Sequence, residues 1–219
     1  MNINKSIIAI IIFTFPILSL AAEPQNIDLL KKQLVYYHDS GQYANDQKGI
    51  IFNAKSCLEK QGQNNKLSKK LALVLDIDET ALSLYEFKRK LDFGWNKKDF
   101  NLAVKKADMK VIPATLSLYN FAKKRGIAVF FISGRHEALR EATIKNLKAA
   151  GYDNWDGLYL CPDNHKHKLL ATFKAETRES IRSKHYEIIG NIGDQESDLV
   201  GNDVIQCKFK LPNPFYFVS

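Results

Sequence analysis

Cysteine is scarce in this chain, three in 219 residues, and so are tryptophan and methionine at two each and proline at six. Cys57, Cys161 and Cys207 are scattered, with no zinc-ligand spacing, so nothing points to a structural zinc. In an oxidising compartment one pair could be bridged and one thiol left over, but spacing does not choose the pair. Internal repeats and low-complexity tracts are absent, which excludes a solenoid or an array. Net charge is +8, from 32 Lys and Arg against 24 Asp and Glu, yet the cations are thinly spread. No basic helix or base-stacking module accompanies them, which argues against a nucleic acid polymer as partner. What remains is a soluble basic surface, able to attract phosphorylated molecules.

A membrane-length apolar run is also lacking. Residues 7–20 are apolar but too few and too abruptly ended for a span. With Lys5 ahead of them and Ser19-Leu20-Ala21 behind, residues 1–22 read as a signal peptide cleaved after Ala21 or Ala22. The alternative is an uncleaved anchor. No cysteine near the cut offers a lipid attachment point. The expectation is a periplasmic or secreted protein with no stable membrane anchor after cleavage.

What remains, residues 23–219, suffices for one well-buried domain with appendages. Residues 25–61 read as two amphipathic helical pieces broken at Ser40-Gly41, so residues 23–68 form an N-terminal helical addition. Apolar strands are expected at 71–75, 127–132, 157–160, 186–192 and 204–209. Helices fill most of the spaces: one opened by Pro113 and closed by Gly126, one over 136–150, one over 175–184. Buried strands alternating with helices predict an α/β fold, a five-stranded parallel sheet flanked by helices. Residues 84–110, dense in aromatics and lysines, read as an irregular insert after the first strand.

The most informative stretch is Leu71-Ala72-Leu73-Val74-Leu75-Asp76-Ile77-Asp78-Glu79-Thr80. A strand buried on both faces delivers two carboxylates to its carboxyl end, where parallel sheets bind ligands. Ionised carboxylates beside a core are costly unless paired or metal-bound. They could merely end the strand and cap a helix. A phosphoryl-transfer site needs them for chemistry: one to attack phosphorus, one to move protons, and a cation to hold the charge.

Three more signals leave the same edge. Ser133-Gly134-Arg135 offers a hydroxyl and backbone N–H groups to a phosphate, or else an ordinary N-cap. Lys174, read as opening a helix, could aim its ammonium at a phosphoryl oxygen, or simply be solvated. Asp194 and Asp198, four residues apart, leave the fourth strand on one side. Facing Asp76 and Asp78, they would repel without a cation, and hard oxygen donors in a phosphate site suit magnesium.

In this order and spacing the four signals resemble the haloacid-dehalogenase-like superfamily, in particular its secreted acid phosphatase branch. That branch contains class B, class C and plant acid phosphatases and plant vegetative storage proteins. Glu79, where many other superfamily members have Gly, carries the likeness to the branch. So do Tyr37-His38-Asp39-Ser40-Gly41-Gln42-Tyr43, Gly190-Asn191-Ile192-Gly193-Asp194-Gln195 and Lys210-Leu211-Pro212-Asn213-Pro214-Phe215-Tyr216.

The resemblance implies a phosphatase of this fold, with residues 84–110 as a small cap. Asp76 would be the nucleophile that forms an aspartyl-phosphate, and Asp78 the proton donor and acceptor. Ser133, Gly134 and Lys174 would hold phosphate oxygens. One magnesium ion would be bound by Asp76, the Asp78 carbonyl and Asp194, with Asp198 in support. The implied substrate is a small-molecule phosphate monoester. Tyr85, Phe87, Phe93, Trp95 and Phe100 could stack a nucleobase, which makes a 5′-nucleotide one expectation, or they could simply pack a small core. His165 and His167 could line the mouth. A phosphotransferase and a non-catalytic storage or surface-binding protein remain open as alternatives.

Overall fold

The computed structural model describes residues 23–63, 69–163, 169–201 and 204–218. The segment 1–22 expected to be a leader and the His165 and His167 positions lie outside the described residues.

A five-stranded sheet forms the centre, in the order β3-β2-β1-β4-β5, with every neighbouring pair parallel. The expected α/β fold is present. β1 (Lys70–Leu75) lies in the middle, between β2 (Ala128–His136) and β4 (Tyr186–Gly193). Its alternating side chains supply two cores. Leu73 and Leu75 join Val129 and Phe131 on one face, with Leu58, Leu118 and Leu147 from helices α2 (Gln42–Gln63), α5 (Pro113–Lys124) and α6 (Arg140–Ala149). Ala72 and Val74 join Phe130 and Ile132 on the other, against Phe173 and Ile181 of α7 (Leu170–Arg182). Burial on both faces explains the unbroken apolar run of β1, each large side chain contributing roughly 1.5–3 kcal/mol.

α1 (Ile27–Asp39) opens at Asn26, whose side chain accepts from Asp28 N, and breaks from α2 at Gly41, with φ +83°. α2 is tied to the far edge of the sheet. Cys57 is bonded to Cys207 at the start of β5 (Cys207–Lys210), with Cα atoms 5.8 Å apart. Cys161, at the end of β3 (Gly157–Cys161), is a buried free thiol.

Several boundaries differ from expectation. Residues 84–110 are not irregular: they hold α3 (Tyr85–Lys90) and α4 (Lys97–Lys106). Asn96 caps α4 by accepting from Asp99 N at 3.1 Å. Both helices are short, and clustered rings and lysines blur their apolar stripe. The rings of Phe87, Trp95 and Phe100 pack on one another, with centroids 4.8–6.1 Å apart. β2 runs on through Ser133 to His136, and a 3₁₀ turn over Glu137–Leu139 precedes α6. α7 begins at Leu170, so Lys174 sits in its second turn rather than at its opening. α8 (Glu196–Leu199) is a single turn after β4. Among the described residues no helix is long and apolar enough to cross a membrane.

Candidate active site

Asp76 extends the β1 ladder by one bond, its N–H donating to the Ile192 carbonyl at 3.0 Å. The chain then turns sharply: the amides of Ala81 and Leu82 both donate to the Ile77 carbonyl at 2.8 Å. This turn leaves Asp76 buried at the sheet edge and Asp78 partly open beside it. β2 arrives next to them. Ser133 is buried, its Oγ accepting from the Arg135 amide at 3.2 Å, so it is part of a strand end and not a helix cap. Gly134 packs under Leu170, whose Cδ2 an added Cβ would meet at 2.9 Å, so a side chain there would require Leu170 to shift.

Across the site, the Lys174 ammonium reaches from α7 to Asp76 Oδ1 at 2.7 Å and also donates to Asp198 Oδ1. Asp198 is fixed by four further bonds, one of them its own amide donating to the Gln195 carbonyl at 3.1 Å. Its Oδ2 accepts from the Gln195 amide at 2.9 Å, and its carbonyl accepts from Arg178 Nη1 and Asn191 Nδ2, both at 2.8 Å. Asp194 leaves the end of β4 and accepts from Thr80 Oγ1 at 3.3 Å and from Gln195 Nε2 and Asn213 Nδ2 at 2.6 Å.

Carboxylate oxygens of Asp76, Asp194 and Asp198 lie within 4.8 Å of one another, all three buried. Lys174 is the cation among them. Burial, with Asp198, Asp194 and Asp78 nearby, pushes the Asp76 carboxyl well above the usual range against the pull of Lys174. Burial and Asp198 raise Asp194 to about 6, against its bonds from Asn213 and Gln195. For Lys174 burial opposes the charge, but Asp76 and Asp198 outweigh it and hold the ammonium above its ordinary value. One ammonium leaves excess negative charge, and the oxygen donor set fits a hard divalent cation. Asp76, Asp194 and Asp198 are the carboxylates that could hold it. Asp194 and Asp198 each have both carboxylate oxygens hydrogen-bonded, Asp198 to Lys174 and the Gln195 amide.

Asp76, Asp78, Ser133, Gly134, Lys174 and Asp194 line one cavity of about 500 Å³, and Asp198, which is not in that lining, is joined to it through Lys174. Trp95, Phe100, Tyr216 and Phe217 contribute rings to the cavity lining, the first two packed on each other at 4.8 Å, and Lys97, Asn101 and His136 add polar groups. Asn101 Oδ1 and Ser197 Oγ are buried with no hydrogen-bond partner among the described residues. Of the five aromatics named from sequence, Trp95 and Phe100 line the cavity. Tyr85 and Phe93 belong to a separate cluster with Tyr43 and Phe215.

Sequence reasoning missed Arg135. It is 1% exposed, its Nε lies 3.0 and 3.2 Å from the two Asp78 carboxylate oxygens, and Nη2 donates to Oδ1 at 2.7 Å. Its place beside Ser133-Gly134 was the one available signal. Asn213 and Tyr216, whose hydroxyl donates to the Asp78 carbonyl at 3.3 Å, lay in the tail that carries the family likeness, without an assigned role.

A family model described as "HAD superfamily, subfamily IIIB (Acid phosphatase)" matches residues 15–219. "Acid phosphatase 1" of Solanum lycopersicum is 34% identical over 66% of the chain, and the chain spans 58% of that protein. "Vegetative storage protein 1" of Arabidopsis thaliana is 34% identical over 84% of the chain and 68% of its own length. Among solved structures, the class C acid phosphatase from Bacillus anthracis superposes with a TM-score of 0.70 over 86% of each chain at 23% identity, a likeness of fold.

Proposed function

The chain belongs to subfamily IIIB of the HAD superfamily, the acid phosphatase subfamily, and on that premise we propose that it is a magnesium-dependent phosphomonoesterase working through an aspartyl-phosphate. The observation that carries this reading is Asp76: a buried carboxylate on a cavity floor, 2.7 Å from an ammonium and grouped with two further acids.

One Asp76 oxygen attacks phosphorus and the bond from phosphorus to the ester oxygen breaks. Asp78 gives its proton to the departing alkoxide. Water then attacks the phosphorus of the mixed anhydride, Asp78 takes its proton, and Asp76 is released with inorganic phosphate. Two easier steps replace one hard hydrolysis. Ser133 and the Gly134 amide face the phosphate oxygens, joined by Lys174, whose charge stays close to the nucleophile. A magnesium ion held by Asp76, the Asp78 carbonyl and Asp194, with Asp198 in support, would supply the positive charge that lets one anion approach another.

The rings of Trp95, Phe100, Tyr216 and Phe217 in the cavity lining support a substrate with a flat ring, such as a 5′-nucleotide. Asn101 Oδ1 offers an acceptor to an N–H on it. Secretion is supported by the leader sequence and by the Cys57–Cys207 bond, which suits an oxidising compartment. The vegetative storage relative keeps a non-catalytic reading in play, against which stands the complete set of Asp76, Asp78, Ser133, Lys174 and Asp194.

The test is p-nitrophenyl phosphate hydrolysis by the purified mature protein. Turnover that stops with EDTA, returns with magnesium and is abolished by Asp76→Asn supports the reading. Absence of metal-stimulated turnover on this and a panel of nucleotides and sugar phosphates would revive the storage alternative. Glycerol phosphate formed in added glycerol would reveal a phosphotransferase.

A further inference from the structure

Glu79 follows the proposed proton donor directly and adopts φ +55°, a left-handed conformation that suits glycine and strains other residues. Its side chain is fully buried. A glycine would fit this backbone without strain and without sealing a carboxylate in the interior, so the presence of Glu calls for a compensating task. Its contacts indicate one. Oε2 accepts from the Tyr43 hydroxyl at 2.5 Å. Oε1 accepts from Ser83 Oγ at 3.2 Å and from the amide of Leu84, the N-cap residue just before α3. The Glu79 amide meanwhile donates to the Leu82 carbonyl at 2.8 Å, closing the turn on itself.

Three parts of the molecule meet on this one carboxylate: the N-terminal helices through Tyr43, the turn that carries Asp78, and the first residue of the helical insert. Tyr43 is itself held, 3% exposed, with its ring edge-on to Phe215 at 5.1 Å and to Tyr37 at 5.5 Å. A strained residue survives only where its surroundings over-determine it, and such residues concentrate where geometry matters for function.

We propose that Glu79 is a positioning residue and Tyr43 its anchor, so that the N-terminal helices set the placement of Asp78 without touching substrate. The claim about turnover rests on the phosphomonoesterase reading; the claim about the brace does not. Tyr43→Phe removes a single hydroxyl. Glu79→Gly relieves the strain and deletes the brace, and Glu79→Gln keeps a side chain that can bond Tyr43, Ser83 and Leu84. On p-nitrophenyl phosphate, Tyr43→Phe and Glu79→Gly lower kcat tenfold or more with KM within twofold of wild type. Glu79→Gln recovers kcat to within threefold.

Hydrogen exchange supplies a second readout. Amides of residues 78–84 exchange at least tenfold faster in Tyr43→Phe and Glu79→Gly, while the amides of β1 and β2 keep their protection. An active wild type with kcat unchanged in both variants overturns the positioning role. Unchanged exchange at residues 78–84 overturns the brace, even if the wild type proves inactive on every ester tried. Should Glu79→Gly fail to fold, Tyr43→Phe carries both measurements.

Discussion

Arg135 grips Asp78 with Nε and Nη2 together, at 2.7–3.2 Å, and the guanidinium is itself sealed from solvent and bonded to Thr143 Oγ1 at 3.2 Å. A planar fork fixes a carboxylate's orientation in a way that a point charge does not. Asp78 therefore presents its oxygens to the cavity in one arrangement.

Arg135→Lys keeps the charge and loses the fork. We expect kcat on p-nitrophenyl phosphate to fall roughly 10- to 100-fold, with a much smaller change in KM, the signature of a misplaced reacting group. Steady-state kinetics beside a thermal melt would check it. Wild-type kcat in a folded variant would mean that Asp78 needs no such grip.

Gly193 lies under the Asp198 carboxylate, and a Cβ added there would overlap that side chain. Gly193→Ala should push Asp198 away from Lys174 and from the Gln195 amide. Magnesium affinity, measured by calorimetry on the unreacted protein, should drop at least tenfold, and kcat/KM should fall with it.

The Cys57–Cys207 bond joins residues 150 apart in sequence. Constraining a loop of that length in the unfolded chain is worth about 5 kcal/mol in the chain-entropy model. Reduction, or the Cys57→Ala/Cys207→Ala pair, should lower Tm by many degrees. Cys161→Ala should leave the response to reductant unchanged, since that thiol is free.

Lys88 is a buried ammonium that donates to the Gly94 carbonyl at 2.7 Å and lies 5.6 Å from the Trp95 ring and 5.5 Å from the Tyr216 ring. Burial lowers its pKa below the ordinary lysine value. The unfolded chain then binds the proton more tightly than the native one. The destabilisation is full below the native pKa and lifts as pH rises toward the unfolded value. Urea unfolding of wild type and Lys88→Met across pH 7 to 10.5 should show wild type gaining stability relative to the variant as pH climbs. A difference that stays flat would refute a depressed pKa.

Trp95→Ala should raise KM for 5′-nucleotides at least fivefold while changing that for p-nitrophenyl phosphate less. Equal effects on both substrates would remove Trp95 from base recognition.

The strand ends were legible because their signals are local. β1 shows itself as an unbroken apolar run, and Asp76, Asp78, Asp194 and Asp198 stand at fixed short distances from strands whose direction the alternation of elements implies. α3 and α4 were not legible, being one to three turns long with rings that pack on each other.

By itself, then, the chain's order of residues determined the parallel sheet, the edge at which the acids gather and the identity of those acids, since apolar pattern and sequence spacing act over a few residues. Only the tertiary structure decided which partners those acids have. Arg135 meets Asp78 across 57 residues, Lys174 meets Asp76 across 98, and Tyr43 meets Glu79 across 36. It likewise chose Cys207 for Cys57. Such pairings follow from how strands and helices stack to bury their apolar faces, and no local pattern in the chain encodes the resulting distances.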